Sequence, residues 1–596
     1  MPQRPNKLSQ FWQELKRRRV VYVITVYASA AWVLIQLVIT LTEPLNLPTG
    51  LATIVVIALA VGFPPVVILS WLYDLTGRGI EKTKPLEEVR EGEKTVVPNA
   101  WRIATIISFM VIIGLVTINI VMGTRGLRPG DIESLVILPF DNFTGDEQLD
   151  YVAAGMHTSL IGDMGKVSGL RVLGQTTSNA YKKTGLTATD IAKKDNVDAL
   201  VEPTLTCYGD IVCLQIRVIT PYPEEKVLWV GDFMEDKSQI LNVYNRIIRK
   251  VAHELKVNLT LQEETLLAES RIVDPDAYDA YLKGRSYSDK ISPASLSLAI
   301  ERFEKAIEIE PDWAAPYTGL AGVGLRMNQI GFGPESDRLR MIYENLTKAL
   351  ELDPNSAEAH ESAASTAAWI EFDWKKAEKE FLKAIELNPS YARSHIFYAH
   401  LLTILRRTDE ALYEGKLSVE LDPENPLTLG LYVVVLFDAG QCQEALFYME
   451  KALFLDPDHP FLRGKLGWVY ECLGDYEKVF EDWKERNYDR WEMMGGDVEL
   501  LEEVFYEHGW IAFSQELTKL HEEAVAKGIQ VSSGFFFDMY LYLGKYNKAM
   551  DYLEIIYEDN NHNPNLPYYS TKSTYDKMKG NPRYIELLKK MNLPIN

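Results

Sequence analysis

The sequence predicts a multi-domain chain: an N-terminal three-helix transmembrane module, a middle α/β domain on a mixed sheet, and a C-terminal all-α repeat solenoid. Three observations carry this. Three long uncharged apolar runs open the chain. Strand-like and helical patterns alternate between residues 134 and 260. Beyond residue 275, a block of Ala, a short acidic-apolar run and Pro returns about every 34 residues. The chain has 596 residues, 47% of them hydrophobic and 11% aromatic. That is ample for several cores and too apolar for disorder.

The apolar runs are Val20–Thr42, Leu51–Tyr73 and Ile103–Met122, each reaching the roughly 20 residues a helix needs to cross hydrocarbon. Pro64-Pro65 in the second removes two donors and predicts a kink. Residues 1–19 carry Arg4, Lys7, Lys16, Arg17, Arg18 and Arg19, and the loop 74–102 carries six more basic residues. The positive-inside rule puts both in the cytoplasm. Three spans then place everything after Met122 on the far side, with 123–133 as a linker. The expected location is the inner (cytoplasmic) membrane, multi-pass, with the N-terminus cytoplasmic and the soluble region extracytoplasmic. Only 19 residues precede the first run, so no effector domain is expected there.

Residues 134–260 form the α/β domain. Ser134–Phe140 (SLVILPF) reads as a buried strand, Gln148–Gly165 as a helix and Leu170–Leu173 as a short strand. Thr189–Lys194 begins a second helix, capped by Thr189 or Asp190. Ala199–Thr206, Val212–Ile219 and Val227–Phe233 are strands between turn residues, and Ser238–Val257 is an amphipathic helix. The order β-α-β-α-β-β-β-α implies a mixed sheet packed by helices. Cys207 and Cys213 flank the turn Tyr208-Gly209-Asp210. An odd-numbered loop would put both on one face and permit a disulfide; a two-residue turn would oppose them.

After a linker at 261–274, the array occupies 275–596. Pro311, Pro354, Pro389, Pro423 and Pro457 lie 43, 35, 34 and 34 residues apart. Ala299, Phe303 and Ala306 precede Pro311; Ala377, Phe381 and Ala384 precede Pro389; Ala445, Met449 and Ala452 precede Pro457. Pro354 keeps Leu346 and Ala349, while Pro423 has the weaker Ala411, Gly415 and Ser418. This spacing sets small, large and small seats on one helix face, with Pro just past the helix end. It is the signature of tetratricopeptide repeats, two antiparallel helices per unit, six to eight pairs here. The 43-residue interval places an insertion at Gly331–Asp337. Degenerate copies at 466–483 and 535–554 keep Leu-Gly-x-Tyr.

The pieces VILPFDNFTGDEQLDYVAAGM (136–156), GLRVLGQTTSNAYKK (169–183), NVDALVEPTL (196–205) and VLWVGDF (227–233) resemble the TolB-like amino-terminal domain. That domain occurs in bacterial membrane proteins ending in tetratricopeptide repeats, some fused to cyclase or winged-helix effector domains. FWQELKRRRV (11–20), LYDLTGRGIEKT (72–83) and NPRYIELLKKMNLP (581–594) are similar to that family too. Ala154 stands where the family usually has Asp, and Pro203 where it has Gly.

No catalytic residue, cofactor site or metal site is expected. His395 and His400 are five apart, off the spacing of a zinc helix, and Gly319–Gly324 (GLAGVG) reads as helix packing. The net charge is −22, and its acidic body argues against nucleic acid; no small-molecule substrate is evident. The expected function is a membrane-anchored scaffold whose TolB-like domain and repeat groove bind a protein or peptide. The alternative is a non-catalytic sensor or regulatory subunit signalling through a separate effector. In tetratricopeptide arrays the first helix of each pair lines the concave face. The 34-residue register places Trp369, Arg393 and His400 there, as anchors for a partner or as packing and solvated residues.

Overall fold

The computed structural model describes residues 51–76, 79–82 and scattered positions between 20 and 38. It also describes 132–595 apart from 183, 222–224, 269–271, 289, 291, 560–564 and 572. The chain divides into two compact units, Met1–Thr124 and Arg125–Asn596.

The first unit corrects the membrane expectation. Ile103–Met122 lies outside the described residues, as does most of Val20–Thr42. The middle run forms helix α1, Leu51–Leu72, with Pro64 and Pro65 inside it. It leads into an antiparallel pair, β1 (Tyr73–Thr76) with β2 (Gly79–Lys82). Among the described residues no helix is long and apolar enough to cross a membrane. The three-helix transmembrane module and the multi-pass inner-membrane location, read from apolar length alone, are withdrawn on that finding.

The second unit begins with a sheet of order β5-β3-β6-β7-β8, with β4 (Asp141–Asn142) also on β6. β3 (Ser134–Ile137) runs parallel to β5 (Arg171–Val172) and β6 (Ala199–Tyr208). β7 (Ile211–Thr220) and β8 (Lys226–Asp236) continue it antiparallel. Every β3 residue is buried, which is why SLVI reads as an uninterrupted apolar run. Helices α2 (Asp150–Met164) and α5 (Ile240–Leu255) share one core with one face. Helix α4 (Ala188–Asp195) closes a smaller core on the other. Its cap is Thr187, in a reciprocal box with Asp190, rather than Thr189 or Asp190. A short helix, α3 (Gln175–Ala180), follows β5 where the sequence showed no helical period. Cys207 pairs directly with Cys213, and Tyr208 with Val212, leaving an odd loop at 209–211; the two cysteines are bonded across 4.8 Å between Cα atoms. A second bridge, Cys442–Cys472, was not foreseen, because a 30-residue separation carries no sequence signal.

A short helix, α6 (Leu261–Ala268), leads to the array, which follows as helix pairs. They are α7 (Pro275–Ser288) with α8 (Pro293–Ile309), α9 (Ala314–Ile330) with α10 (Glu335–Leu352), and α11 (Ala357–Thr366) with α12 (Trp374–Leu387). Then come α13 (Ala392–Ile404) with α14 (Thr408–Leu421), α15 (Pro426–Asp438) with α16 (Cys442–Leu455), and α17 (Pro460–Cys472) with α18 (Tyr476–Met493). A long helix α19 (Val498–Ala526), broken at Gly509 with φ 78°, precedes α20 (Ser533–Tyr542) with α21 (Tyr546–Asp559). The small and large seats are the interior: Ala299, Phe303, Ala306, Ala377, Phe381, Ala384, Ala445, Met449 and Ala452 are wholly buried. Close approach explains the glycines. A Cβ on Gly284 or Gly319 would stand 2.6 Å from the Phe303 ring. The weak repeat follows the same logic: a Cβ on Gly415 would meet Tyr432 at 2.6 Å, so bulk comes from the neighbour. The 43-residue interval lengthens its helices to 17 and 18 residues, against 13 and 14 in the pair α13–α14. The expected insertion is thus helical rather than a loop.

The residue six after four of the five signature prolines ties off that proline's carbonyl; Leu429, six after Pro423, cannot. Tyr317 does so at 3.0 Å, His360 and His395 at 2.9 Å, and Arg463 at 2.8 Å. Both histidines also meet a carboxylate on the next helix, Glu380 and Glu414, at 2.6 Å. A second periodic position ends the first helix of each pair from α9 onward in the left-handed region. Gly440 and Gly474 occupy it with φ 73°, but Phe372 (φ 52°) and Arg406 (φ 61°) stand at the same 34-residue offsets.

The α/β domain docks on two repeat loops through one repeated position, the residue before the proline. Asn388 Nδ2 donates to the Gly162 carbonyl at 3.0 Å. Asp422 accepts from the Thr177 amide at 2.9 Å and its hydroxyl at 2.7 Å. Gly165 and Gly174 permit this approach, since a Cβ would lie 2.6 Å from Asn388 and 2.5 Å from Asp422. Ser390 bridges the Val172 amide and the Leu170 carbonyl at 3.0 and 3.1 Å. The core under the sheet runs on into α7, α8 and α9.

Candidate functional site

The structure brings Trp369, Arg393 and His400 together around one ring, Phe397. The Trp369 ring centroid lies 5.5 Å from it, that of His400 6.5 Å, and the Arg393 guanidinium 4.8 Å. Arg393 and His400 stand on α13. Trp369 stands on a π-helical turn, Ala367–Glu371, that extends α11. Arg393 is one-third exposed and pairs at 3.1 Å with Glu361, a nearly buried carboxylate. Burial opposes its charge, but Glu361 outweighs that and holds the guanidinium above its ordinary range.

His400 is buried, and burial pushes it down to about 4. It is therefore neutral near pH 7, and its tautomer follows from its partners. Nε2 lies 3.0 Å from the Leu431 carbonyl, which can only accept, so Nε2 carries the proton. Nδ1 must then accept, and it does so from the Tyr568 hydroxyl at 2.6 Å. The chain of donors runs from Tyr568 to His400 to Leu431. No sequence period announced Tyr568; it belongs to a short 3-10 turn, Leu566–Ser570, just before the C-terminal helix α22 (Pro582–Lys590).

That turn and α22 lie on the first helices of the middle repeats. Arg406 donates to the Ser570 carbonyl. The Thr571 hydroxyl lies 3.1 Å from both Asp438 carboxylate oxygens. Trp374 Nε1 donates to the Met591 carbonyl at 3.0 Å, and Asn592 to that of Phe372 at 3.3 Å. The two left-handed positions that lack glycine, Phe372 and Arg406, thus both touch the C-terminal segment. A side-chain-bearing residue there costs about 1–2 kcal/mol. Sequence reasoning missed both, although the 34-residue offset from Gly440 and Gly474 was a usable signal.

An open cleft of about 680 Å³ between α17 and α18 is lined by charged groups such as Arg463, Lys478 and Glu481, away from this groove. Among the described residues no group of three or more His, Cys, Asp or Glu is placed to hold a metal.

Two buried histidines give a pH prediction. His157, near the end of β3, is also pushed down to about 4 by burial. Unfolding returns each to about 6.5, so the unfolded chain binds more protons and stability rises with pH. Their contribution is complete above about pH 6.5 and is lost progressively toward pH 4, roughly 3 kcal/mol for each. Urea midpoints measured from pH 7 to 4.5 should fall, and fall less in His400→Gln. An identical slope in that variant would contradict the assignment.

No family model matches the chain. It is 27% identical over 239 residues to a putative adenylate cyclase 3 of Rhizobium meliloti, covering 40% of each chain. It is 27% identical over 148 residues to the transcriptional regulator HilA of Salmonella typhimurium, 25% of this chain and 27% of that one. The chain thus spans less than half the length of these curated relatives. Among solved structures, PilW, a type IV pilus biogenesis factor, aligns with 36% of this chain and 94% of its own. It does so at 15% identity and a TM-score of 0.30, too low to argue from. The assignment to the tetratricopeptide type rests on the helix pairs, their period and their seats.

Proposed function

We infer that this chain is a protein-binding scaffold: the groove around Trp369, Arg393 and His400 receives a segment of a protein partner, beside a docked α/β domain of TolB-like character. One observation carries the reading. The groove already engages a protein segment, reading a tyrosine hydroxyl through His400 and a main-chain carbonyl through Arg406. Aromatic and arginine side chains of this kind are the usual anchors of interfaces.

The test is affinity capture with the full-length chain, followed by titration of the captured protein. Trp369→Ala with Arg393→Ala, accompanied by Glu361→Gln so that no buried carboxylate is left unpaired, is expected to weaken binding at least tenfold. The far-UV circular dichroism should not change. Unaltered affinity would move attention to the α/β domain. A regulatory subunit acting through a separate effector is the second reading, supported by the 239-residue similarity to a protein named as a cyclase. Recovery of a cyclase or transcription factor as the captured partner would favour it.

A further inference from the structure

We propose that Leu566–Ser570 is a displaceable internal occupant of this groove, and that the groove's external ligand is a protein segment presenting a Leu-Pro-Tyr turn. This deepens the scaffold reading and rests on it.

Three observations lead there. First, the turn is held mainly through side chains. Tyr568 is fixed by His400, the Ser570 carbonyl by Arg406 and Thr571 by Asp438, while Leu566 and Pro567 are buried. The turn's own backbone bonds are Tyr568 N to Asn565 O and Thr571 N to Tyr568 O, both at 3.1 Å, and its Tyr569 carbonyl accepts from the Tyr584 hydroxyl at 2.8 Å; none of these joins a repeat helix pair. It can therefore leave without breaking a helix pair, unlike a repeat helix. Second, the array carries a strained, side-chain-bearing residue in the left-handed region at Phe372 and Arg406, where Gly440 and Gly474 fill the equivalent seats. Both exceptions face the C-terminal segment. Strain kept at particular positions of an otherwise regular repeat points to a role there. Third, the internal fit is incomplete: Arg406 Nε is buried with no acceptor among the described residues. A ligand offering a second acceptor at that point would compete favourably with the Ser570 carbonyl.

The consequence is autoinhibition. A partner bearing the Leu-Pro-Tyr turn must displace the chain's own, so its apparent affinity is reduced by the fraction of grooves that are closed.

The probe is a fluorescent peptide of residues 565–571 (Asn-Leu-Pro-Tyr-Tyr-Ser-Thr), titrated into full-length protein. Tyr568→Ala, which empties the groove and leaves its walls intact, should bind the peptide at least tenfold more tightly than the native chain. Adding Arg406→Gly in that background should lower the affinity at least tenfold again. That substitution should not harm the fold, because the repeat itself uses glycine at this seat. Should Tyr568→Ala lose its helical signal, Tyr568→Phe replaces it with the same expected order. Two results overturn the proposal: absence of peptide binding to the folded variants, or unfolding of both Tyr568 variants, which would make the turn part of the core. Peptide binding is measured without any partner, so its failure is distinguishable from failure of the capture experiment.

Discussion

Ala384→Trp is expected to destabilise the middle repeats by about 3 kcal/mol or more, at the upper end of overpacking. Ala384 has no exposed surface and lies one turn beyond Phe381, also wholly buried. An indole there must force neighbouring helices apart, and cores at crystal-like density transmit such strain. The control two positions away is Glu386→Ala. Glu386 is well exposed and only pairs with Lys383 one turn back, at 3.1 Å, so its loss should stay within about 0.5 kcal/mol. Urea denaturation followed by circular dichroism reads both. Equal behaviour would contradict the register of small and large seats.

Asp422→Ala is expected to cost about 3 kcal/mol and to loosen the α/β domain from the array. The carboxylate is buried and held above its ordinary range, because burial outweighs its hydrogen bonds from Asn425 and Thr177. Removing it orphans the buried Thr177 amide, and each such group costs about 1–3 kcal/mol. The Thr177 hydroxyl, which also accepts from the Glu424 amide at 3.0 Å, loses its only acceptor described here. Asp422→Asn keeps an oxygen in place and should cost less than half as much. Equal losses for Ala and Asn would show that the carboxylate oxygen is not what couples the two layers.

Much of the array was legible because packing imposes it. Ala377, Phe381 and Ala384 recur at fixed offsets since every repeat must bring its neighbour equally close, so physical necessity appears as period. The strands of the α/β domain were legible for a similar reason, each being an apolar run between turn residues. The groove was legible only in part. Trp369, Arg393 and His400 could be placed on first helices by counting, but their relation to Phe397 and Tyr568 could not. Tyr568 lies 168 residues from His400, in a segment outside the repeat. Long-range closure of that kind leaves no local pattern. Arg393 illustrates the limit: counting placed it on a first helix as a candidate anchor, but its pairing with Glu361, 32 residues away, left no pattern to read. The membrane reading failed differently. Apolar length is a statement about composition, and among the described residues no helix satisfies it.

Hydrogen–deuterium exchange on the native full-length chain tests the central claim, a protein-binding groove closed by its own C-terminal turn, most directly. Peptides covering Leu566–Ser570 and Ala392–Ile404 should be compared in native buffer. The account predicts that the turn exchanges through a local opening at least tenfold faster than the helix beneath it, with protection of that helix largely kept. Turn and helix exchanging together, only when the whole array unfolds, would contradict it.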